Sequence, residues 1–514
     1  MRIGAVGSSR LARLLLVAVM SLGTAVPGTA AQLKGGTLRV AILADVNDFD
    51  PQSFLGFNFP LIKNFYDSLI EYTPQGEPVR SLAAAWPIAP DNRSVTLRLR
   101  GDVRFTSGAP LDAEAVSVTL RKAADPKLGK NVYATMSFVK DWTIVDTHSI
   151  TLDFNTAVPD REVTDLLQFM SVIDPAGIGT VETKPAGSGA FTLAERVLGQ
   201  RIRMVANPHY WREGEPILHE VVLTVFSDAD AASAALESGA VDMIYGASSR
   251  SAARLRDAGF QLVQGPGPLV QVFRINATRG PFRNEKFRQA FNFLMDRAAI
   301  LKVGYAGIGE VTVLPWAPAS PAADPSYNTK YAFDLDKARA LLKESGLSAA
   351  EMSNWKLMAD GSNQDSLAIS QVVQSTLAKV GINVQLDLKQ GPELVDAMLG
   401  GHFDAFFGGI GNVQKFPSRI TTNSIYRTVN NPVLGEPNPF PAYVEAINRV
   451  NTTFGSPKVV KAAYDHLNEV LVQSAFGIAT NTYDIGLIVA AKNVGGITRD
   501  IDNMLVARTI GFTP

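Results

Sequence analysis

The fold class is decided by the stretch SLAISQVVQSTLAKVGINVQLDL, which occupies residues 366–388. In its first part a helical pattern places four apolar side chains inward, namely Leu367, Val372, Val373 and Leu377. Gly381 then ends the pattern, as glycine commonly does after the last turn of a helix. Residues 384–388 alternate apolar and polar side chains with the period of two that is typical of a half-buried strand. A helix that leads through a glycine into a strand is a unit of an α/β protein.

The same two patterns return along the rest of the chain. Strand-like alternation rich in Val, Leu, Ile and Thr marks residues 36–43, 95–99, 150–154 and 219–226. Helical spacing marks residues 287–300, 335–344 and 458–472. We find no internal repeat and no flexible linker. Because 514 residues exceed what one hydrophobic core serves, we expect roughly two to four domains that are joined by short hinges or are discontinuous in sequence.

Composition excludes several classes of function. The 48 basic and 49 acidic residues leave a formal net charge of −1. Nucleic acid and anionic membranes need a positive surface, so we expect no nucleic-acid partner. The chain has no cysteine, which excludes disulfides, thiolate metal sites, a cysteine nucleophile and a lipidated-cysteine anchor.

The first 31 residues predict a cleaved signal peptide. Arg2, Arg10 and Arg13 precede the apolar run 14–25, and small residues follow at 29–31. A basic region, a short apolar region and a small-residue cleavage site are typical of secretion signals. The apolar run is shorter than the ~20 residues that a membrane-spanning helix needs. We therefore expect residues 1–31 to be removed, and the mature protein to be periplasmic and not a lipoprotein.

The residue types of common catalytic and metal sites form no recognisable motif. No histidine stands at metal-ligand spacing from another histidine or a glutamate; the histidines are His148, His209, His219, His402 and His466. There is no G-x-S-x-G nucleophile elbow and no phosphate-binding loop. Two acid pairs, Asp48 with Asp50 and Asp334 with Asp336, are explained by turns and helix caps. We expect no catalytic residue, no metal and no cofactor, and interpret the chain as a binding protein and not an enzyme.

Short motifs in a fixed order connect the chain with a known family. They are KGGTLRVA at 34–41, NFYDSLI at 64–70, LRLRGDVRF at 97–105, GSGAF at 187–191, NPHYW at 207–211, LESGAVD at 236–242, PFRNEKFRQA at 281–290 and DKARALL at 336–342. In content and order they resemble the extracellular solute-binding proteins of ABC importers, the peptide/nickel/opine-type family 5. The resemblance covers nearly all of the chain after residue 31. Its specificity lies in the order of the fragments, because each fragment alone is weak.

The resemblance implies a two-lobed periplasmic binding protein fold of the α/β class, with a hinge and an extra third domain. Lobe I would comprise residues 32–75, 186–275 and 486–514, the extra domain residues 76–185, and lobe II residues 276–485. Such proteins close on their ligand by hinge motion and bury it. Gly187 and Gly189 would lie on a crossing segment, where glycine tolerates the dihedral changes of a hinge. An ordinary turn is the alternative for this segment.

The resemblance also implies a function. The chain would be the substrate-binding component of an ABC importer, which captures a peptide or peptide-like small molecule, such as an opine or an amino-acid conjugate, and delivers it to the permease subunits. We expect a monomer. Two alternatives stay open: a signalling or chaperone-like binding protein of the same fold, and a secreted hydrolase, against which the missing catalytic motifs count. The resemblance names neither the ligand nor its charge, because a fold does not identify ligand chemistry.

The ligand site is inferred from departures from the family pattern. The segment of interest is 408–417, which follows a strand-like run at 403–407. At this place peptide-binding members of the family carry a tryptophan and an aspartate, and the aspartate carboxylate holds the ammonium of the peptide. Here Asn412 stands near the expected acid, while Lys415 and Arg419 add positive charge. Because a buried ammonium would lack its counter-ion, we expect a neutral or anionic ligand. In the alternative, Asp48 or Glu310 supplies the acid, or the loop aligns differently.

Aromatic residues complete the predicted site. Phe54 and Phe57, in the loop after the first strand, are candidates for an apolar subsite. Tyr305 and Trp316 are candidates on the other lobe, and packing in a core is the alternative for all four. The predicted ligand-binding residues are therefore Phe54, Phe57, Tyr305, Trp316, Asn412, Lys415 and Arg419.

Overall fold

A computed structural model describes residues 33–53, 61, 63–265, 267–503 and 505–514. The predicted signal peptide and two predicted ligand residues, Phe54 and Phe57, lie outside the described residues. Among the helices of the described part, none combines the length and the apolar character that a bilayer crossing requires.

The described chain alternates strands and helices from end to end. The strands are β1 (Thr37–Ile42), β2 (Ile70–Tyr72), β3 (Pro78–Arg80), β4 (Ala83–Ala85), β5 (Ser94–Leu99), β6 (Val139–Asp146), β7 (Ser149–Phe154), β8 (Phe191–Val197), β9 (Arg201–Ala206), β10 (Glu220–Val225), β11 (Met243–Ala247), β12 (Gln261–Val263), β13 (Leu269–Ile275), β14 (Lys356–Asp360), β15 (Gln385–Lys389), β16 (Ala405–Ile410), β17 (Gly477–Tyr483), β18 (Leu487–Ala490), β19 (Val494–Gly495), β20 (Thr498–Arg499), β21 (Leu505–Val506) and β22 (Gly511–Phe512). The helices are α1 (Ala113–Ala123), α2 (Lys130–Tyr133), α3 (Asp160–Phe169), α4 (Ala229–Glu237), α5 (Ser249–Asp257), α6 (Glu285–Leu294), α7 (Arg297–Tyr305), α8 (Tyr327–Lys330), α9 (Leu335–Glu344), α10 (Ala349–Met352), α11 (Gln364–Ala378), α12 (Gly391–Gly400), α13 (Pro441–Thr452) and α14 (Pro457–Ser474). The predicted α/β class is confirmed.

A seven-stranded mixed sheet has the strand order β12-β18-β11-β1-β10-β9-β8. Its centre is β1, which runs parallel to both β10 and β11. The period of two divides β1 between two cores: Leu38 and Val40 face one apolar cluster, while Ala41 faces another with residues of α4 and α5. The C-terminal segment packs on the first of these clusters through Leu505 and Ile510.

A five-stranded sheet has the order β15-β14-β16-β13-β17. Val270 and Val272 of β13 face one core, which includes α13 and α14, whereas Phe273 faces the other, which includes α6 and α11. The stretch at 366–388 belongs to this part of the molecule. Its predicted strand is β15 of the sheet, and its predicted helix is α11. Gly381 has a φ of 82°, the left-handed conformation that ends a helix at little steric cost.

A four-stranded antiparallel sheet has the order β4-β5-β7-β6. Helices α1 and α3 cover it, with Leu120 and Leu166 in its apolar cluster. This sheet and its helices have a core separate from those of the two larger sheets.

The chain passes between the two larger sheets twice. It leaves the seven-stranded sheet after β12, enters the five-stranded sheet at β13, and returns from β17 to β18. The predicted limits place residues 269–275 in lobe I, whereas the structure pairs them, as β13, with β16 and β17. The domain limits as a whole stay predictions.

Residues 187–189, which the glycines marked as a candidate hinge, lie close against another backbone segment. Neither Gly187 nor Gly189 has a positive φ. A Cβ on either residue would overlap the backbone of Phe65 or the neighbouring Tyr66. The glycines therefore serve the close approach of two backbone segments, and the hinge interpretation of residues 187–189 stays a prediction.

The predicted helix over residues 287–300 is two helices, α6 and α7. The chain turns at Met295, and the Asp296 side chain accepts a hydrogen bond of 3.0 Å from the Ala299 backbone N–H, which caps α7. The apolar spacing continues through the turn, so periodicity alone did not reveal the new N-cap. The helices predicted at 335–344 and 458–472 are confirmed as α9 and α14.

Candidate functional site

The loop that follows β16 carries three of the predicted ligand residues. Asn412 is exposed, with a φ of 60°, and its Nδ2 donates a hydrogen bond to Thr422 Oγ1 at 3.1 Å. Asn423 closes the loop, because its side chain donates to Gly411 O at 2.9 Å and accepts from Gly411 N at 3.2 Å. Asn tolerates the left-handed conformation better than most residues, which explains its place at the start of this turn.

Lys415 turns away from solvent, and its side chain is only 1 % exposed. Its Nζ lies 2.8 Å from Asp502 Oδ2 and 2.8 Å from Gln168 Oε1. The same nitrogen lies 4.2 Å from the ring centroid of Phe169 and 5.5 Å from that of Tyr72. The ammonium is therefore surrounded by a carboxylate, an amide oxygen and two aromatic rings.

Asp502, the carboxylate of this group, has further partners. Gln414 Nε2 donates to its Oδ1 at 2.5 Å, and Gln168 Nε2 donates to its Oδ2 at 2.5 Å. Its backbone N–H bonds the Asp500 side chain at 2.9 Å, which fixes the turn before β21. The carboxylate is thus held in place by three side chains from two distant parts of the chain, Gln168 from one and Gln414 and Lys415 from the other.

Helix α3 forms the wall opposite the loop. The Phe416 backbone N–H donates to Asp165 Oδ2 at 2.6 Å, and Arg161 donates to Gln414 O at 3.3 Å. Arg419 forms an ion pair of 3.4 Å with Glu162, whose side chain is 18 % exposed. Burial raises the pKa of Glu162, and the positive charge of Arg419 opposes that rise.

The two predicted cations, Lys415 and Arg419, both have partners within the protein. Lys415 and Arg419 each have a carboxylate partner, Asp502 and Glu162 respectively. Both charges are therefore compensated within the protein, which reduces the positive charge that they offer to an anionic ligand. Their direct contact with a ligand stays a prediction.

The other predicted residues lie apart from this loop. Trp316 is 2 % exposed, packs in the core that includes α13 and α14, and its Nε1 donates to Asn468 Oδ1 at 2.6 Å. That is the packing alternative for this residue. Tyr305 is half-buried at the end of α7, with its ring centroid 5.2 Å from that of Tyr483, and burial raises its pKa.

The acids that the sequence offered as substitutes are placed differently from one another. Asp48 accepts from Lys130 at 3.3 Å and from Ser53 Oγ at 3.2 Å, so it has a counter-ion of its own. Glu310 is exposed, and its backbone groups pair with Thr482. Of the two, Glu310 therefore remains the candidate for the acid that would hold a ligand ammonium.

Sequence reasoning missed Gln168 and Asp502, which contact Lys415 although they lie 247 and 87 residues away along the chain. No local pattern links such distant positions. The one available signal was the charged run Arg499-Asp500-Ile-Asp502 close to the C-terminus.

A second polar cluster connects the two segments by which the chain crosses between the larger sheets, one after β12 and one after β17. Asp484 follows β17 and forms a buried ion pair with Arg499, with side chains 5 % and 2 % exposed. Its carboxylate also accepts from Asn503 Nδ2 at 2.8 Å, from Gly486 N at 2.7 Å and from Gly265 N at 3.3 Å. Gly265 belongs to one crossing and Gly486 to the other, so one carboxylate holds both.

In the described part of the chain no group of three or more His, Cys, Asp or Glu side chains is arranged to hold a metal ion.

The model of the bacterial extracellular solute-binding proteins, family 5 Middle, matches residues 77–431, which is more than half of the chain. The chain belongs to family 5 of these solute-binding proteins. This family 5 protein is 26 % identical over 350 residues to the heme-binding protein A of Haemophilus influenzae, covering 62 % of this chain and 63 % of that protein. It is 25 % identical over 331 residues to the glutathione-binding protein GsiB of Salmonella paratyphi A, covering 63 % of this chain and 64 % of the relative. The matched segment thus spans less than two thirds of these relatives.

Solved structures confirm the two-lobed fold of the family 5 protein. The ABC transporter substrate-binding protein CtaP of Listeria monocytogenes superposes with a TM-score of 0.82 at 18 % identity, covering 94 % of this chain and 100 % of that one. The periplasmic binding protein AgaA from Agrobacterium tumefaciens, in complex with agropinic acid, superposes with a TM-score of 0.73 at 21 % identity, covering 93 % and 99 %. At these identities the likeness concerns the fold alone.

Proposed function

We propose that the chain is the substrate-binding component of an ABC importer. It captures a peptide or peptide-like small molecule in the periplasm and delivers it to the permease subunits. Membership of family 5 and the two-lobed fold support this function. So do the name of the glutathione-binding relative and the agropinic acid bound in the structural neighbour AgaA. The mature protein begins after residue 31 and acts as a monomer.

The ligand is neutral or anionic and presents no free ammonium to the loop after β16. The observation that carries this part is the pairing of Lys415 with Asp502, 2.8 Å apart, beside a loop in which Asn412 replaces the expected acid. An ammonium bound at this loop would meet the Asn412 amide in place of a carboxylate, and Asp502 already has Lys415 as its cation. Because Lys415 and Arg419 are also compensated, we expect a ligand with little net negative charge in preference to a strongly anionic one.

Native mass spectrometry of the protein purified from its own host tests these statements together. The intact mass gives the mature start and the oligomeric state, and gentle activation releases any bound ligand for identification. We expect a monomer that starts near Gln32 and carries a neutral or acidic small molecule. A released zwitterionic peptide would contradict the ligand class and leave the transport function standing.

A matched pair of ligands sharpens the charge argument. Calorimetric titration with a tripeptide and with its N-acetylated form compares ligands that differ in the ammonium. We expect the acetylated form to bind more tightly. Deleting the gene tests the transport step: uptake of the identified ligand should stop, whereas normal uptake with a changed cellular response would favour the signalling alternative. Turnover of the bound compound would favour the hydrolase.

A further inference from the structure

The surroundings of the Lys415 ammonium come from parts of the protein with separate cores. Gln168 and Phe169 end α3, which packs on the four-stranded sheet. Asp502 lies just before β21, which packs on the seven-stranded sheet through Leu505. Lys415 itself belongs to the loop after β16, whose flanking residues Val413 and Phe416 pack in a core of the five-stranded sheet. The Lys415 side chain therefore extends from a loop of the five-stranded sheet to residues that pack with the other two sheets.

The chemistry of this enclosure is that of an ammonium receptor. A carboxylate and an amide oxygen accept from the ammonium at 2.8 Å each. Two aromatic rings lie within the ~6 Å over which a ring face attracts a cation. A compact, strongly hydrated charge such as ammonium enters a buried site only where partners of this kind replace its water.

We propose that Asp502, Gln168, Phe169 and Tyr72 form an ammonium cage that the protein fills with its own Lys415, and that this tethered ammonium latches the two lobes together. The cage would take a primary alkylammonium if the lysine were absent. The proposal rests on the two-lobed fold and does not require a particular ligand.

The contacts around Lys415 fit a latch because they cluster on one short segment. Residues 414–419 of the loop contact α3 and the C-terminal turn through Gln414, Lys415, Phe416 and Arg419. Separation of the lobes would break all of these contacts at once. A buried ion pair suits a reversible latch, since the attraction that it gains is largely offset by the water that both charges lose.

The latch also explains why the ligand class proposed above excludes a free ammonium. An amine on the ligand would compete with Lys415 for the cage, and the tethered group has the advantage of high effective concentration. This consequence, unlike the latch itself, rests on the proposed function.

Single-molecule fluorescence energy transfer on the ligand-free protein tests the latch. The chain has no cysteine, so Leu198→Cys and Val459→Cys introduce unique labelling sites. Leu198 is 76 % exposed beside β8, and Val459 is 51 % exposed on α14, so the labels report on the distance between the two larger sheets. The protein is refolded from denaturant first, to remove any bound molecule.

We expect Lys415→Ala to raise the ratio of open to closed molecules at least about fivefold, the lower end of typical coupling between sites. Propylammonium supplies the carbons and the nitrogen that the truncation removes. Because Gln414 of the loop also donates to Asp502, the closed form encloses the cage more completely, so propylammonium should bind that form more tightly and shift the ratio back towards the wild-type value. 1-Propanol, which has the same carbon chain without the charge, should not. Asp502→Asn keeps the shape of the cage and should shift the ratio in the same direction. This second variant keeps the latch testable if Lys415→Ala does not fold.

Lys122 is the matched control, because its Nζ lies 2.7 Å from Asp50 with side chains 8 % and 1 % exposed, yet neither residue belongs to the five-stranded sheet. Lys122→Met should leave the ratio unchanged. An unchanged ratio in Lys415→Ala, a wild type that is already open without ligand, or equal restoration by propanol would each overturn the latch. Because no ligand is present, these outcomes are independent of the charge of the natural ligand.

Discussion

Two buried lysine–aspartate pairs of nearly equal geometry lie in different settings. Lys122 Nζ is 2.7 Å from Asp50 Oδ2, and Lys415 Nζ is 2.8 Å from Asp502 Oδ2. No side chain of either pair is more than 8 % exposed. The first pair joins α1 to the turn after β1, and Lys122 also donates to Gln52 Oε1 at 3.0 Å and Leu128 O at 2.9 Å. The second joins the loop after β16 to the C-terminal turn.

The difference shows that the consequence of a buried ion pair depends on what it connects. Lys122 and Asp50 join the four-stranded sheet to the seven-stranded sheet, away from the two crossings of the chain. Lys415 and Asp502 join segments on opposite sides of those crossings. Similar local chemistry should therefore stabilise the fold in the first case and set the balance between open and closed forms in the second.

The largest effect on stability is expected from Lys122→Met. This change leaves the Asp50 carboxylate, 1 % exposed, with Lys130 at 3.4 Å as its charged partner among the described residues. Because Lys130 still compensates part of the buried charge, we expect a loss of about 2–3 kcal/mol in the free energy of unfolding, below the cost of a fully unpaired buried charge. Urea unfolding followed by circular dichroism measures it.

Lys127→Met is the control for that prediction. Lys127 is exposed in the same turn, and its replacement should change the free energy of unfolding by less than about 0.5 kcal/mol. Equal losses in the two variants would show that Lys122 contributes no more than a surface lysine. The Lys122–Asp50 pair would then not be a stabilising pair, and its contrast with Lys415–Asp502 would fail.

A smaller effect, which depends on pH, is expected from Glu162→Gln beside the latch. Burial raises the pKa of Glu162 in the folded state, against the opposing charge of Arg419. The folded protein therefore holds this proton more tightly than the unfolded chain, and stability falls as pH rises from the ordinary glutamate pKa through the raised one. In Glu162→Gln this fall should be absent.

Urea unfolding of both proteins between about pH 4 and pH 7 measures the difference in slope. Glu445→Gln changes an exposed glutamate on α13 and should leave the slope unchanged. A wild type and Glu162→Gln with the same slope would show that burial does not govern the titration of this carboxyl group.

The smallest effect is expected from Arg250→Ala. Arg250 and Asp365 also connect the two larger sheets, 3.1 Å apart, but their side chains are 72 % and 40 % exposed. Water screens such a pair, so we expect less than about 1 kcal/mol in stability and no change in the ratio of open to closed molecules. An effect on that ratio as large as the effect of Lys415→Ala would show that position between the lobes matters and burial does not.

Local patterns predicted the elements well and their ends less well. The stretch 366–388 became α11 and β15 as predicted, although the structure buries Ile369 in place of Leu367 and Val372, which are half-buried. The division of 287–300 into two helices was missed, because the Asp296 side chain competes locally for the Ala299 N–H while the apolar spacing continues. Periodicity reports which face is buried, and a cap depends on single side chains.

The candidate site was predicted in part. Asn412, Lys415 and Arg419 do share one loop, but the sequence could not give the carboxylate that pairs with each cation. Trp316 was offered as a ligand residue from its type alone, and its indole instead bonds Asn468, which lies 152 residues away. An aromatic side chain of this size fits a core and a binding cleft equally well, so residue type does not separate the two.

By itself, the sequence determined the α/β class, the main helices and strands, the absence of thiol chemistry and the family. These properties are carried by composition, by the order of motifs, and by spacings of two to four residues, over which neighbours along the chain are neighbours in space. Only the tertiary structure decided that Lys415 meets Gln168 and Asp502, and that Asp484 holds both crossings. Those partners are brought together by the paired crossings of the chain between two sheets, and the charge of a side chain is free or compensated only once such distant neighbours are in place.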